Sequence, residues 1–502
     1  MGEKLQALKE RLATISDLYA SQAVLSWDQE TYMPSGSVNA RAKQLSTLGK
    51  LSHEMFTSDE TGSLLDAAAA ELNGESYDSE DASIVRVIKR DFEEATKLPS
   101  SLVAQISETS SAAKEAWKEA YYSSDFETFR PHLDKSLELA IKKAEALGYE
   151  DHIYDALLDQ YEPGMKTAEV AQIFDDLKPE LISLVKQIAS AEQVDDSFLH
   201  LDYDEETQLN FGEFVIRKFG FDFDKGRQDL AHHPFATSFS VNDVRLTTRV
   251  SKNFLPTALF GTLHECGHGL YEQGVSENLE RTMLSGGTSL GIHESQSRTW
   301  ENIIGRSLGF WKHFYGELQS TFPDQLGGVS LESFYKGINK VEPSLIRVEA
   351  DEVTYNLHIM LRFEIETAMV SGKIDTKDLP EIWNSKFEEF LGVKPSNNTE
   401  GVLQDIHWSM GGIGYFSTYA LGNLFSTQFF DKAKQDIPNL DQKIESGEYL
   451  ELREWQRDNI HTHGRKFTAN ELLERVTGQP LQASSYLAYI KSKFSGIYGE
   501  LS

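Results

Sequence analysis

The leucines and isoleucines of this chain constrain it most, because they recur at spacings of three and four along most of its length. In residues 3–19, Leu5, Leu8, Leu12, Ile15 and Leu18 fall on one stripe, as a period of 3.6 residues requires. Residues 101–122, 125–147, 167–192, 298–320, 347–371 and 413–435 share the habit, with charges on the opposite faces, and each predicts a helix. Only 13 prolines occur in 502 residues, so long helices are allowed. One region departs. Residues 210–251 are richer in glycine and aromatics, and in DVRLTTRV the residues Val244, Leu246, Thr248 and Val250 alternate with Arg245, Thr247 and Arg249. That alternation predicts a strand, and hence a small β-sheet just before the next helix. The polar stretches Asn73–Asp81 and Lys394–Gly401 are short enough to be surface loops. The expectation is a mainly α fold, one large helical domain over 1–502, with a small sheet.

Charge excludes some partners. Lys and Arg number 48 against 79 Asp and Glu, a net charge of −31. Such a field disfavours nucleic acid and anionic membranes as main partners. No stretch approaches the roughly 18 apolar residues of a membrane span. The N-terminus reads as an amphipathic helix rather than a signal peptide, and Gln6 breaks the myristoylation pattern that Gly2 invites. One cysteine, Cys266, cannot close an intrachain disulfide. A cytoplasmic location is expected.

Cys266 lies inside TLHECGHGLYEQG (262–274), where His264 and His268 bracket Glu265 as H-E-x-x-H. Pro256 and Gly274 bound the segment as a helix. With about 100° per residue, His268 falls about 40° from His264, so both imidazoles can reach one ion. Glu265, at about 100°, stands beside the ligands, where a general base for an ion-activated water belongs. Cys266, at about 200°, points away from the metal face. Gly267, at about 300°, flanks that face and leaves room for substrate or a neighbouring segment. Neutral imidazoles with a carboxylate suit Zn2+, and Co2+ or Mn2+ could occupy such a site. Chance alone would place this pattern in roughly a few per cent of chains with 14 histidines. A third ligand is needed. His293 and Glu294 are neighbours on the next predicted helix, only one can face the ion, and spacing does not choose. Glu301, two turns on, could hold a ligand in place or cap a helix. His461 and His463 read as loop or capping residues, and His232–His233, ahead of Pro234, as extended backbone.

These motifs have companions: HPF at His233–Phe235, D-x-R-x-T at Asp243–Thr247, HESQ at His293–Gln296, I-R-x-x-A-D at Ile346–Asp351 and G-x-x-Q-D-x-H-W at Gly401–Trp408. SWDQETYMP (Ser26–Pro34) and TGQP (Thr477–Pro480) extend the set to both ends. In this order they resemble the carboxypeptidase Taq family of metallocarboxypeptidases over nearly the whole chain. The resemblance implies a mainly α-helical fold with a deep central groove, commonly a homodimer. It implies metal-dependent release of C-terminal amino acids from peptides with broad side-chain tolerance. It carries His264, His268 and Glu294 over as metal ligands, one ion per subunit, and Glu265 as the base, choosing Glu294 over His293.

The other motifs fit that chemistry. A free C-terminal carboxylate is well matched by a bidentate guanidinium, for which Arg347 is the candidate. Read alone, it is as readily a helix-surface arginine paired with Glu349 or Asp351. His407, Tyr415 and Tyr419 are hydrogen-bond donors in a glycine-bearing stretch, suited to a developing oxyanion. A histidine followed some eight residues later by a tyrosine resembles related H-E-x-x-H peptidases of helical groove type. His233 and Arg245 could line the groove or brace the sheet, and DVRLTTRV could take substrate by edge pairing. Glu277, Glu280 and Arg281 put charge between the two metal-bearing helices. The rival readings are an oligoendopeptidase or dipeptidyl carboxypeptidase of the same chemistry, and a non-catalytic peptide-binding scaffold with a structural metal.

Overall fold

A computed structural model describes residues 2–501. The leucine stripe at the N-terminus belongs to a helix that runs beyond its expected end, Glu3–Thr31. Leu5, Leu8, Leu12 and Ile15 are fully enclosed and Leu18 is half-buried. Each enclosed side chain contributes up to about 1.5–3 kcal/mol of transfer free energy. The second half of the helix continues because Trp27 has a partner of its own: its ring meets Phe239 edge-on at 6.5 Å. The predicted helices over 101–122, 125–147 and 167–192 are found at Ser100–Ser123, Phe126–Leu147 and Thr167–Ala189. The mainly α expectation holds.

Three predicted helices start late or break. The helix expected from 347 begins at Tyr355. The Asp351 carboxylate accepts the backbone N–H groups of Val353 and Thr354, offering the chain a turn instead of a helical hydrogen bond. The helix expected from 413 begins at Ser417, because Gly411 and Gly414 take φ of 74° and 96°, which no helix accommodates. The stretch over 298–320 divides into a π-helical turn, Thr299–Ile304, and a fresh helix, Leu308–Thr321.

The strand-like region forms a three-stranded sheet of β1 (Gly226–Leu230), β2 (Ala236–Ser240) and β3 (Asp243–Thr248) in the order β1-β3-β2. β3 pairs parallel with β1, Val244 opposite Gly226, and antiparallel with β2, Leu246 opposite Ala236. Val244 and Leu246 are fully buried, as alternation predicts. The order overturns one expectation. DVRLTTRV is the central strand, both its edges are paired, and it has no free edge on which to take a substrate backbone.

The sheet backs the histidine helix, Pro256–Gly274. The next helix, Leu290–Arg298, carries Glu294 and is called here the glutamate helix. It is wedged between two glycines. A Cβ on Gly267 would lie 2.5 Å from both Ser297 Cα and the Gln296 carbonyl oxygen, and a Cβ on Gly422 would lie 2.5 Å from Glu294 Cγ. Gly267 thus leaves room for a neighbouring segment, one of its two expected roles, and that segment is the glutamate helix. The close approach sets the distance from the two histidines to Glu294.

Candidate metallopeptidase active site

On the histidine helix, the rings of His264 and His268 stand 4.9 Å apart, nearly perpendicular. Each Nε2 lies 3.7 Å from Glu294 Oε2, and the three ligand atoms fall within 4.8 Å of one another. The far nitrogens are engaged. His264 Nδ1 bonds Glu301 Oε2 at 2.8 Å. His268 Nδ1 bonds His293 Nδ1 at 2.6 Å, and His293 Nε2 bonds Glu272 Oε1 at 2.7 Å. Glu272 in turn accepts from Ser238 of β2. With protons on His264 Nδ1, His268 Nδ1 and His293 Nε2, both ligand Nε2 lone pairs are left facing Glu294 Oε2. Two imidazoles and a carboxylate converging in this way fit a divalent cation. His293 is therefore placed behind His268 rather than in the ligand triangle, and Glu301 takes the bracing position.

The acidic ligand is held from outside. Arg298 donates to Glu294 Oε1 at 2.7 Å and to Glu301 Oε2 at 3.2 Å, and Arg306 stands 3.6 Å from Glu301. Burial would raise the Glu301 carboxyl, but Arg298, His264 and Arg306 outweigh it and hold it at about 2. Burial likewise lowers His264, yet Glu294 and Glu301 outweigh that and hold the imidazole at about 9. Burial, with His293 and His264 adding to it, pushes His268 well below the ordinary histidine range.

Glu265 is buried, and its Oε2 has no hydrogen-bond partner within the protein. Burial pushes its carboxyl up to about 7. An enclosed carboxyl with an unpartnered oxygen beside the three converging side chains is free to accept a proton, as a general base must.

A second cluster gathers residues from three distant segments. Arg347 Nε and Nη2 donate to Asp405 Oδ1 at 3.0 and 2.8 Å, and Nη1 donates to Tyr355 Oη at 3.2 Å. Arg362 donates to Asp405 Oδ2 at 2.7 Å. Arg347 is thus paired with Asp405, not with Glu349 or Asp351, and it sits on a buried 3-10 turn rather than a helix surface. Two guanidiniums share one carboxylate, so this buried group carries one uncompensated positive charge. His407 lies beside it, its ring 5.2 Å from Tyr415 and 6.4 Å from Tyr419. Burial, with help from Arg347 and Arg362, lowers His407 to about 4, so it is a neutral imidazole. Burial raises Tyr415, with the Glu294 charge adding to it, and raises Tyr419 further, so both stay protonated donors. Tyr355 joins the clusters: its hydroxyl takes Arg347, and its ring lies under the Arg298 guanidinium at 4.7 Å.

The remaining candidates have other partners. Arg245 pairs with Asp243 and sits over Trp27 at 4.9 Å and Phe239 at 5.3 Å, bracing the sheet against the first helix. His233 is exposed on the turn between β1 and β2, against His232 at 4.7 Å. His461 bonds Gln296 at 2.9 Å and His463 stands 5.4 Å from Phe467, both structural placements. The charges between the metal-bearing helices are spoken for. Arg281 pairs with Asp17, Glu280 accepts from the Val241 N–H, and Glu277 stands 3.6 Å from Lys225. Cys266 is fully buried, and burial pushes its thiol well up, which makes it inert.

Comparison with known proteins places this arrangement. The family model described as carboxypeptidase Taq (M32) metallopeptidase matches residues 7–494. Thermostable carboxypeptidase 1 of Thermus thermophilus is 41% identical over 488 residues, 95% of each chain. Carboxypeptidase 1 of Bacillus subtilis is 39% identical over 491 residues, 97% of each chain. The crystal structure of an M32 carboxypeptidase from Deinococcus radiodurans superposes with a TM-score of 0.96 at 41% identity, covering 99% of this chain and all of that one. The chain belongs to the carboxypeptidase Taq (M32) family and is a metallocarboxypeptidase.

Proposed function

We propose that the whole chain, 1–502, is one catalytic unit that releases single amino acids from the free C-termini of peptides, with broad tolerance of side chains. His264, His268 and Glu294 would hold the ion, Zn2+ first and Co2+ or Mn2+ as alternatives. When bound, the cation supplies a Lewis acid that acidifies water and polarises the scissile carbonyl. Glu265 takes the proton from the attacking water and returns it to the leaving amine. His407, as a neutral N–H donor, and Tyr415 steady the negative charge that grows on the carbonyl oxygen, with Tyr419 behind them. Arg347 takes the substrate's terminal carboxylate. The observation that carries the exopeptidase reading is the charge balance around Asp405: one buried positive charge is left for an incoming anion to neutralise.

The same proposal places the enzyme in the cytoplasm as a homodimer. No helix among the described residues is long and apolar enough to cross a membrane, and the family resemblance supports the dimer. The test uses one peptide in two forms. The free acid should lose its last residue, and the amide should not be cut. Internal cleavage, or release of dipeptides, would favour the endopeptidase or dipeptidyl reading. Glu265→Gln should keep bound metal while kcat falls by about 10²–10⁴. Full turnover in that variant would sink the mechanism, whereas bound metal with no peptide cleavage by the parent protein would favour the scaffold reading.

A further inference from the structure

Glu366 is fully buried on the helix Tyr355–Val370 and belongs to none of the motifs above. Three donors converge on its carboxylate. Trp408 Nε1 donates to Oε1 at 2.7 Å, the Gly414 backbone N–H donates to Oε2 at 3.0 Å, and Tyr154 Oη donates to Oε2 at 2.7 Å. Trp408 directly follows His407, and Gly414 directly precedes Tyr415. One carboxylate therefore grips both ends of the segment between the two donors.

That segment is a 3-10 turn, His407–Met410, followed by glycines, with Gly411 and Gly414 in left-handed conformations. Within the segment, the Gly411 and Gly412 N–H groups close turns on the Trp408 and His407 carbonyls, and Trp408 and Ile413 are buried. Gly414 presses on the short helix Ile153–Leu158, where an added Cβ would lie 2.7 Å from the Leu157 carbonyl carbon. That helix also supplies Tyr154. The hydrogen bonds within the turn are local to it, and glycines leave its two ends free to shift relative to one another unless something spans them. Burial pushes the Glu366 carboxyl up to about 7 despite the three hydrogen bonds, and a buried carboxyl shared by three groups ties both ends of the turn to one point.

We infer that Glu366 is a positioning residue that sets His407 and Tyr415 at their working separation by clamping Trp408 and Gly414. It touches neither substrate nor metal, and the inference rests on the reading of His407 and Tyr415 as oxyanion donors.

Glu366→Gln preserves shape but turns one acceptor into an amide that faces a donor. The expected result is a fall in kcat of about 10- to 100-fold, with KM and bound zinc at parental values. A merely structural role would not produce that split. Groups that act as a unit are non-additive. In a Tyr415→Phe background, Glu366→Gln should therefore cost less than about threefold more. Should Glu366→Gln fail to fold, Trp408→Phe removes one of the three bonds and is judged by the same criteria. Parental kcat in Glu366→Gln, a loss explained by missing zinc, or losses that multiply in the double variant would each overturn the inference. Parental kcat in Tyr415→Phe alone would remove the donor role itself, and the inference would fall with it.

Discussion

Gly267→Ala is the smallest change that should dismantle the metal site without touching a ligand. In an exposed helix interior, Gly→Ala stabilises by about 1 kcal/mol. Here the new methyl would sit 2.5 Å from Ser297 Cα and 2.5 Å from the Gln296 carbonyl oxygen. Carbon atoms pack comfortably at about 3.5–4.0 Å, so the two helices must part by about 1 Å. The obstacle is backbone, so no rotamer change relieves it. Overpacking of this kind costs about 1–3 kcal/mol, toward the upper end when backbone must move, and outweighs the propensity gain. The larger consequence is geometric. The histidine helix carries His264 and His268 and the glutamate helix carries Glu294, so their separation is the coordination geometry. Ligand distances tolerate only about 0.2 Å, against a displacement of about 1 Å.

Affinity for Zn2+ should therefore fall by at least the roughly 10- to 100-fold typical of disturbed bracing residues, with catalysis falling alongside. Competition against a chromophoric chelator reads the affinity, and denaturant unfolding of the chelated protein reads the stability. Gly316→Ala is the control. Gly316 lies in the helix Leu308–Thr321 with no atom within 4 Å of an added Cβ, and this change should stabilise by about 1 kcal/mol. A folded Gly267→Ala protein that binds Zn2+ within about threefold of the parent would refute the argument that this contact sets the site.

Three further outcomes follow from the same geometry. Cys266→Ala should keep metal and turnover and lose about 1 kcal/mol of stability for the small void left, as activity assays and denaturant unfolding would read; loss of metal would contradict its placement behind the helix. Glu301→Gln removes the charge bracing His264 and should weaken Zn2+ binding about 10- to 100-fold in the same chelator competition. Without metal, His264 sits at about 9, raised above its usual range, so it carries a proton below that pH that a cation must displace. Uptake of Zn2+ at pH 7.5 should release about one proton, and affinity should climb about tenfold per pH unit until pH approaches 9 and then level off. Calorimetry in buffers of differing ionisation enthalpy measures this, and zero protons released would refute it.

The sequence carried most of the helices and the metal helix with its bounds, because both rest on local periodicity. It did not carry the order of the sheet. Alternation in DVRLTTRV reports which side chains share a face, and says nothing of whether β1 and β2 lie on one side of it or both. The starts of two helices were hidden for a similar reason. The apolar stripe near 347 continues past the point where the Asp351 carboxylate captures two backbone N–H groups. Capture depends on a side-chain rotamer, not on spacing.

Within the site, the three side chains that converge as candidate ligands were legible, and those that hold them were only partly so. Glu272 and Arg298 had a signal, each lying four residues beyond a ligand on its own helix, where side chains meet. His293 had a misleading one, since it is as suitable a ligand by type as Glu294. What separates the two is that His268 needs a partner for its far nitrogen, and a three-body arrangement across two helices leaves no trace in spacing. Asp405 lies 58 residues from Arg347 and 43 from Arg362. A sequence can mark each as charged, yet only their meeting shows that one positive charge is left over. That surplus supports the proposed capture of a substrate carboxylate by Arg347, and it belongs to the cluster rather than to any of its members.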